Sequence, residues 1–142
     1  MLPDEIKPAM EGVVPSSIVT CSLAGSPNVT SISQIYHVDE NHVALSHQFF
    51  NKTHRNIREN PYVFACLRDP ATWQEWMLEL QYDHSETEGP VFEEMDLKIE
   101  AIASMTGMED VFKLLAADIY KVTSVRKSNS RSSLLEPYTS GH

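Results

Sequence analysis

Cysteine is almost missing from this chain: Cys21 and Cys66 are the two that occur, each inside an apolar run and without CxxC spacing. That argues against a disulfide framework and predicts buried, reduced thiols. Glycine is also scarce, with five residues, and none of them builds a GxGxxG or P-loop pattern, so a bound nucleotide would need another kind of cradle. No stretch approaches the ~20 consecutive apolar residues that a membrane-spanning helix requires. Positive charge is in short supply, eleven Lys and Arg against twenty Asp and Glu, for a net charge of -9. Such a balance repels phosphodiester backbones and anionic lipid, so neither nucleic acid nor a membrane is an expected partner. The opening Met1-Leu2-Pro3-Asp4-Glu5 has no basic segment followed by an apolar one, which points to the cytoplasm.

What is present reads as one globular unit of 142 residues, 42% hydrophobic and 22% charged. Asp4 to Glu11 suggests a short amphipathic helix with Ile6 and Met10 on one side and Gly12 as its stop. The β-branched run Ser17 to Leu23 predicts a strand, closed by Gly25-Ser26-Pro27. Asn28 to Val38 and His42 to Ser46 extend it into a three-strand meander. Thr53 to Asn60 predicts a helix capped by Thr53 and stopped at Asn60-Pro61, followed by a strand over Tyr62 to Leu67. After the turn Asp69-Pro70-Ala71-Thr72, the segment Trp73 to Tyr82 alternates, with Trp76, Leu78 and Leu80 on one face. Asp83 to Glu88 reads as an exposed acidic loop. Phe92, Met95, Ile99 and Ile102 then recur at helical spacing, consistent with a helix over one barrel opening. The remaining pattern, Val111 to Leu115 and Tyr120 to Val125, gives one or two strands with a break near Ala117-Asp118. The fold class expected is mainly β with short helices, a six- or seven-stranded antiparallel split β-barrel over residues 1–127, with 128–142 as a flexible tail.

The chemistry concentrates in Ser46-His47-Gln48-Phe49-Phe50-Asn51-Lys52-Thr53, where a strand runs into a helix. Helix-start N–H groups carry partial positive charge, Lys52 adds a full one, and Ser46, Asn51 and Thr53 add directional donors, so this corner suits a single phosphate group. A plain capping role for Thr53 with a solvated Lys52 is the competing reading. His37, His42 and His47 recur every five residues, but that spacing turns successive strand side chains to opposite faces, so a shared metal is not expected. Glu93, Glu94, Asp96 and Glu100 read as a solvated helix face, and no G-x-S-x-G elbow surrounds a serine.

The ordered string Asn28-Val29-Thr30-Ser31-Ile32-Ser33-Gln34-Ile35-Tyr36, then Val43-Ala44-Leu45-Ser46, then Lys52-Thr53, Asn56-Ile57 and Glu59-Asn60-Pro61-Tyr62-Val63 resembles the pyridoxamine 5'-phosphate oxidase-like family. The resemblance implies a homodimer that holds FMN at the subunit interface. Ser31, Ile32, Ser33 and Gln34 would lie beside the flavin ring and ribityl chain. Leu45 and Ser46 would lie beneath them, and Asn51, Lys52 and Thr53 would take the phosphate. Trp76, or else Gln74, would reach the ring from the partner subunit. Asn51 stands where the family often has arginine, and Ser31 where the vitamin-synthesising oxidases have it. The Arg and His pair with which those oxidases hold their substrate has no counterpart from Arg126 to His142, which argues against pyridoxamine phosphate oxidation itself. The expected function is a flavin-dependent oxidoreductase supplied by NAD(P)H or a small-molecule substrate. The alternative is a non-catalytic flavin-binding or sensing module, or a deazaflavin- or haem-binding variant of the same barrel.

Overall fold

The computed structural model describes residues 1–32, 34–47, 51–106 and 114–128. A 3₁₀ turn, Asp4–Ile6, leads into α1 (Lys7–Met10), and the strands β1 (Ser16–Cys21), β2 (Pro27–Ile32), β3 (Tyr36–Asp39) and β4 (His42–His47) follow. Then come α2 (Asn51–Glu59), β5 (Tyr62–Arg68), β6 (Glu75–Glu86), α3 (Pro90–Thr106) and β7 (Ala116–Lys127). The strands form one antiparallel sheet in the order β2-β1-β5-β6-β7-β4-β3. Its two edges, β2 and β3, are consecutive in the chain and joined by residues 33–35. From Ile32 to Tyr36 the chain can reach at most about 14 Å, whereas the edges of a flat seven-stranded sheet lie about 29 Å apart. The sheet must therefore curl into a barrel, split where β2 and β3 meet.

This order replaces the expected meander. The segment 28–38 is cut in two because the N-terminal turn captures backbone groups that would continue the ladder. The Ile35 N–H donates to the Met10 carbonyl at 3.0 Å, and the Leu2 N–H donates to Glu40 at 2.8 Å. Ile6, Ala9 and Met10 are buried beneath this turn, and Gly12, at φ 83°, ends α1 in the left-handed region open to glycine.

Strand alternation fills the barrel. Ile18 of β1, Val43 and Leu45 of β4, Val63, Ala65 and Leu67 of β5, Trp76, Leu78 and Leu80 of β6, and Tyr120 and Val122 of β7 share one core. A second cluster joins Tyr36, Ala44, Ala117 and Ile119, from the opposite face of β3, β4 and β7, to Met95 and Ile99 of α3. So α3 lies against the outside of the β3-β4-β7 wall, not across a barrel opening. This also explains why β7 is continuous where a break near Ala117-Asp118 was expected: Ala116 to Tyr120 is buried throughout, as a strand covered on both faces must be. The acidic stretch from Asp83 likewise belongs to β6, whose backbone pairs with β7 as far as Glu86↔Ala117 while its side chains face solvent.

The β5–β6 hairpin is built by Asp69, whose carboxylate accepts from the N–H groups of Ala71 (2.8 Å) and Thr72 (3.2 Å). Trp73 then takes φ 62°. Both cysteines are free and half-buried on the outer face, less enclosed than their apolar surroundings in sequence suggest.

Candidate functional site

Near the end of β4, Ser46 is half-buried and Leu45 is buried in the core; α2 is the next element in the chain. The helix begins at Asn51, so Thr53 sits inside its first turn and does not cap it. No acidic residue occupies that turn. The backbone N–H groups at positions 51–53 thus belong to a helix start with no neighbouring carboxylate on the helix to oppose an anion.

α2 is fixed to the barrel by its inward side. It packs on β1 and β2, with Asn56 and Ile57 buried. The Asn56 Nδ2 donates to Thr20 Oγ1 at 3.1 Å, and the Asn60 N–H closes the last turn onto the Asn56 carbonyl at 2.6 Å. Asn56→Ala is expected to cost about 1–3 kcal/mol, because the Thr20 hydroxyl stays buried and loses its partner; a denaturant titration measures the loss.

α2 thus lies against β1 and β2, the second of which bears Ser31. Ser31 is exposed on the outer face of β2, opposite Ser17, while Ile32 turns into the core. Gln34 is half-buried and lines a cleft with Tyr36. Ser33 lies outside the described residues, as do the side chains of Asn51, Lys52 and Thr53. Trp76 is 3% exposed and packs within its own barrel, with the Lys127 ammonium 5.3 Å from its ring centroid. That leaves it little surface for a second subunit. The outward neighbours on β6 are Glu75 and Met77. Gln74 is engaged, its amide donating to the carbonyls of Glu75 (2.9 Å) and Ser128 (2.8 Å).

Hydroxyls at Ser31 and Ser46, an amide at Gln34 and the acid-free helix start at Asn51 are donors of the kind a phosphate ester on a polar chain uses, but the cleft that Gln34 lines with Tyr36 is bordered by neither serine. Among the described residues no three His, Cys, Asp or Glu side chains gather in a way that could hold a metal ion.

A second polar group was not visible in the sequence, because it is assembled by a register shift in β6 between Tyr82 and His84. His84 is placed between two carboxylates, Nδ1 2.6 Å from Asp83 Oδ2 and Nε2 2.8 Å from Glu86 Oε2. Ionised carboxylates only accept, so both contacts are hydrogen bonds only when both ring nitrogens carry protons. The bonds to Glu86 and then Asp83 raise the His84 pKa above the usual histidine value. Beside it, the Ser85 hydroxyl donates to the buried Asp118 carboxylate at 2.6 Å and also meets the Tyr82 hydroxyl. A folded pKa above the unfolded value stabilises the fold fully at pH below about 6.5, and that stabilisation fades as pH rises through the raised value. His84→Gln is therefore expected to lower the thermal midpoint at acid pH and to change it little at alkaline pH. Equal losses at both would remove the clamp from the account.

No family model matches the chain, and no curated protein matches it in sequence. Solved structures do match. An FMN-binding protein from Syntrophomonas wolfei subsp. wolfei superposes with a TM-score of 0.71 at 11% identity, over 89% of this chain and 88% of that one. A protein assigned as a pyridoxamine 5'-phosphate oxidase from Lactobacillus delbrueckii gives 0.59 at 12% identity, over 88% and 93%. HutZ, the haem storage protein of Vibrio cholerae, gives 0.57 at 16% identity, over 89% and 94%. The chain has the split-barrel fold of the pyridoxamine 5'-phosphate oxidase-like proteins. No helix among the described residues is long and apolar enough to cross a membrane.

Proposed function

We propose that this chain is an FMN-binding oxidoreductase whose cofactor phosphate docks at the first turn of α2. The observation that carries the reading is that turn: free of acid, in the element that follows β4 in the chain, and fixed against β1 and β2 through Asn56, in a fold shared with an FMN-binding protein. Lys52 would supply the charge, with the hydroxyls of Ser46 and Thr53 and the Asn51 amide fixing direction. Ser31 to Gln34 would run along the ribityl chain and ring. Bound there, FMN supplies two-electron redox chemistry, with NAD(P)H or a small reduced compound as the donor; the protein's share is to bind, orient and exclude water.

A homodimer is part of this reading. The outer face of β2-β1-β5-β6 carries Val29 and Tyr62, both more than 60% exposed, around half-buried Val19, Phe64, Cys66 and Met77. Cross-strand register makes them contiguous through Val29↔Val19, Val19↔Phe64, Ser17↔Cys66 and Cys66↔Met77. An apolar patch of this kind marks an interaction surface, and Ser31, paired with Ser17, borders it.

Titration with FMN, followed by quenching of flavin fluorescence, tests the binding. Saturable quenching is expected; none up to millimolar protein would overturn it. Anaerobic addition of NADH or NADPH then separates an enzyme, in which visible flavin absorption is lost faster than for free FMN, from a module that binds without turnover. The likeness to HutZ favours haem as the second reading. An intense Soret band on adding haem, with no flavin quenching, would put haem in place of FMN.

A further inference from the structure

A cleft of about 270 Å³ opens between α1, β3 and α3, on the side of the barrel where α3 covers the wall. Its apolar floor is Met10, Ile35 and Met95, all at most 2% exposed. Charge of both signs surrounds that floor. Lys7 and Glu11 stand at the two ends of α1, and Glu94 and Lys98 lie one turn apart on α3. Lys98 is 3.4 Å from Glu94 and lies 5.2 Å from the centroid of the Tyr36 ring. Lys7 is 3.3 Å from Asp4, which does not line the cleft.

The uncommitted groups are more telling. Among the described residues, Glu11 has no ion pair, and neither the Gln34 amide nor the Tyr36 hydroxyl has a hydrogen-bond partner. Burial and the Glu94 carboxylate keep the Tyr36 phenol protonated well past neutrality, so it can donate. The cleft therefore offers a carboxylate, an amide with both a donor and an acceptor end, a phenol donor and half-exposed ammonium groups, all above a thioether and aliphatic floor. A simple anion gains little where lysines and glutamates balance, and the net charge of -9 disfavours it further. A simple cation meets two lysines. A molecule bearing both charges on a short apolar body satisfies the whole set, and the volume, near the lower end for ligand pockets, limits it to a small one.

We propose that this cleft binds a small zwitterion with an aliphatic side chain, a free α-amino acid in the simplest case. Its ammonium is received by Glu11 and the Gln34 carbonyl, its carboxylate by the Tyr36 hydroxyl and Lys98, and its side chain lies on Met10 and Met95. The site does not rest on the flavin reading; Gln34 is the one residue the two share.

The test uses the full chain with no flavin added and its methionine methyl groups labelled for NMR. L-leucine is the probe, and 4-methylpentanoate and isopentylamine are the same body with one charge removed. Leucine is expected to shift the Met10 and Met95 methyl signals while leaving Met77, on the outer face of β6, in place. Each single-charge analogue is expected to bind roughly tenfold more weakly or worse, the usual worth of one charge-assisted contact. Glu11→Gln and Lys98→Met, both at the surface and harmless to the core, are expected to weaken leucine by a similar factor. No shift at millimolar leucine overturns the proposal, as do analogues that bind equally well or variants that bind like the parent. FMN titration of the same sample is read separately, so either result can fail while the other stands.

Discussion

Trp76→Ala is expected to lower stability by about 3–5 kcal/mol, the range for deleting a large aromatic side chain from a packed interior. The indole is 3% exposed, belongs to the same cluster as Leu67, Leu78 and Leu80, and stands opposite Leu67 in the β5–β6 register. The Lys127 ammonium lies near its ring, so truncation also removes a cation–π contact between β6 and the end of β7. Urea denaturation followed by circular dichroism measures the effect. A midpoint within experimental error of the parent's would mean that the ring does not pack where the alternation of β6 puts it. Trp76→Phe, which keeps most of the volume, separates this role from a role at the cofactor: the fold should survive and FMN affinity should not change.

Lys52→Ala is expected to weaken FMN binding by about 1.5–3 kcal/mol, or roughly 10- to 150-fold, with little effect on stability. A hydrogen bond to a charged group is worth that much where the ion is partly withdrawn from water. The effect should shrink as salt is added, because a phosphate at a helix start is still within reach of counter-ions. Lys52→Arg should keep most of the affinity, since the charge remains. Unchanged binding by Lys52→Ala would move the phosphate away from α2, and with it the flavin.

Much of this architecture could be read from local pattern. Asp69-Pro70 marked the β5–β6 turn because an aspartate before proline favours a tight turn, and its carboxylate does hold the Ala71 and Thr72 amides. Asn60-Pro61 stopped α2 for an equally local reason. The alternation of Trp76, Leu78 and Leu80 also put all three on one face, and that face is the core. The family resemblance instead assigned Trp76 to a partner's cofactor; where the two disagree, the side-chain period agrees with the burial. What escaped the sequence was set by distant contacts. Nothing within 28–38 announces the cut between β2 and β3, because the carbonyl that takes the Ile35 N–H belongs to Met10. β6 continues past Tyr82 on polar residues because β7 pairs with its backbone. The His84 clamp and the cleft beside Tyr36 depend on a register shift and on where α3 lands, and spacing encodes neither. Of the site, the passage from β4 to α2 was legible as a strand followed by a helix; the packing of α2 on β1 and β2 needed the fold.

The strand order has a consequence for how the molecule comes together. β7 pairs with β6 along one side and β4 along the other, and its outer face seats α3. Until that strand arrives, β3 and β4 have no ladder to the rest of the sheet, and β6 presents an open edge of twelve residues to any extended chain nearby. A ribosome-bound chain ending before residue 116 would therefore carry two half-walls in search of a seam, and it is the state in which this protein most needs protection from aggregation.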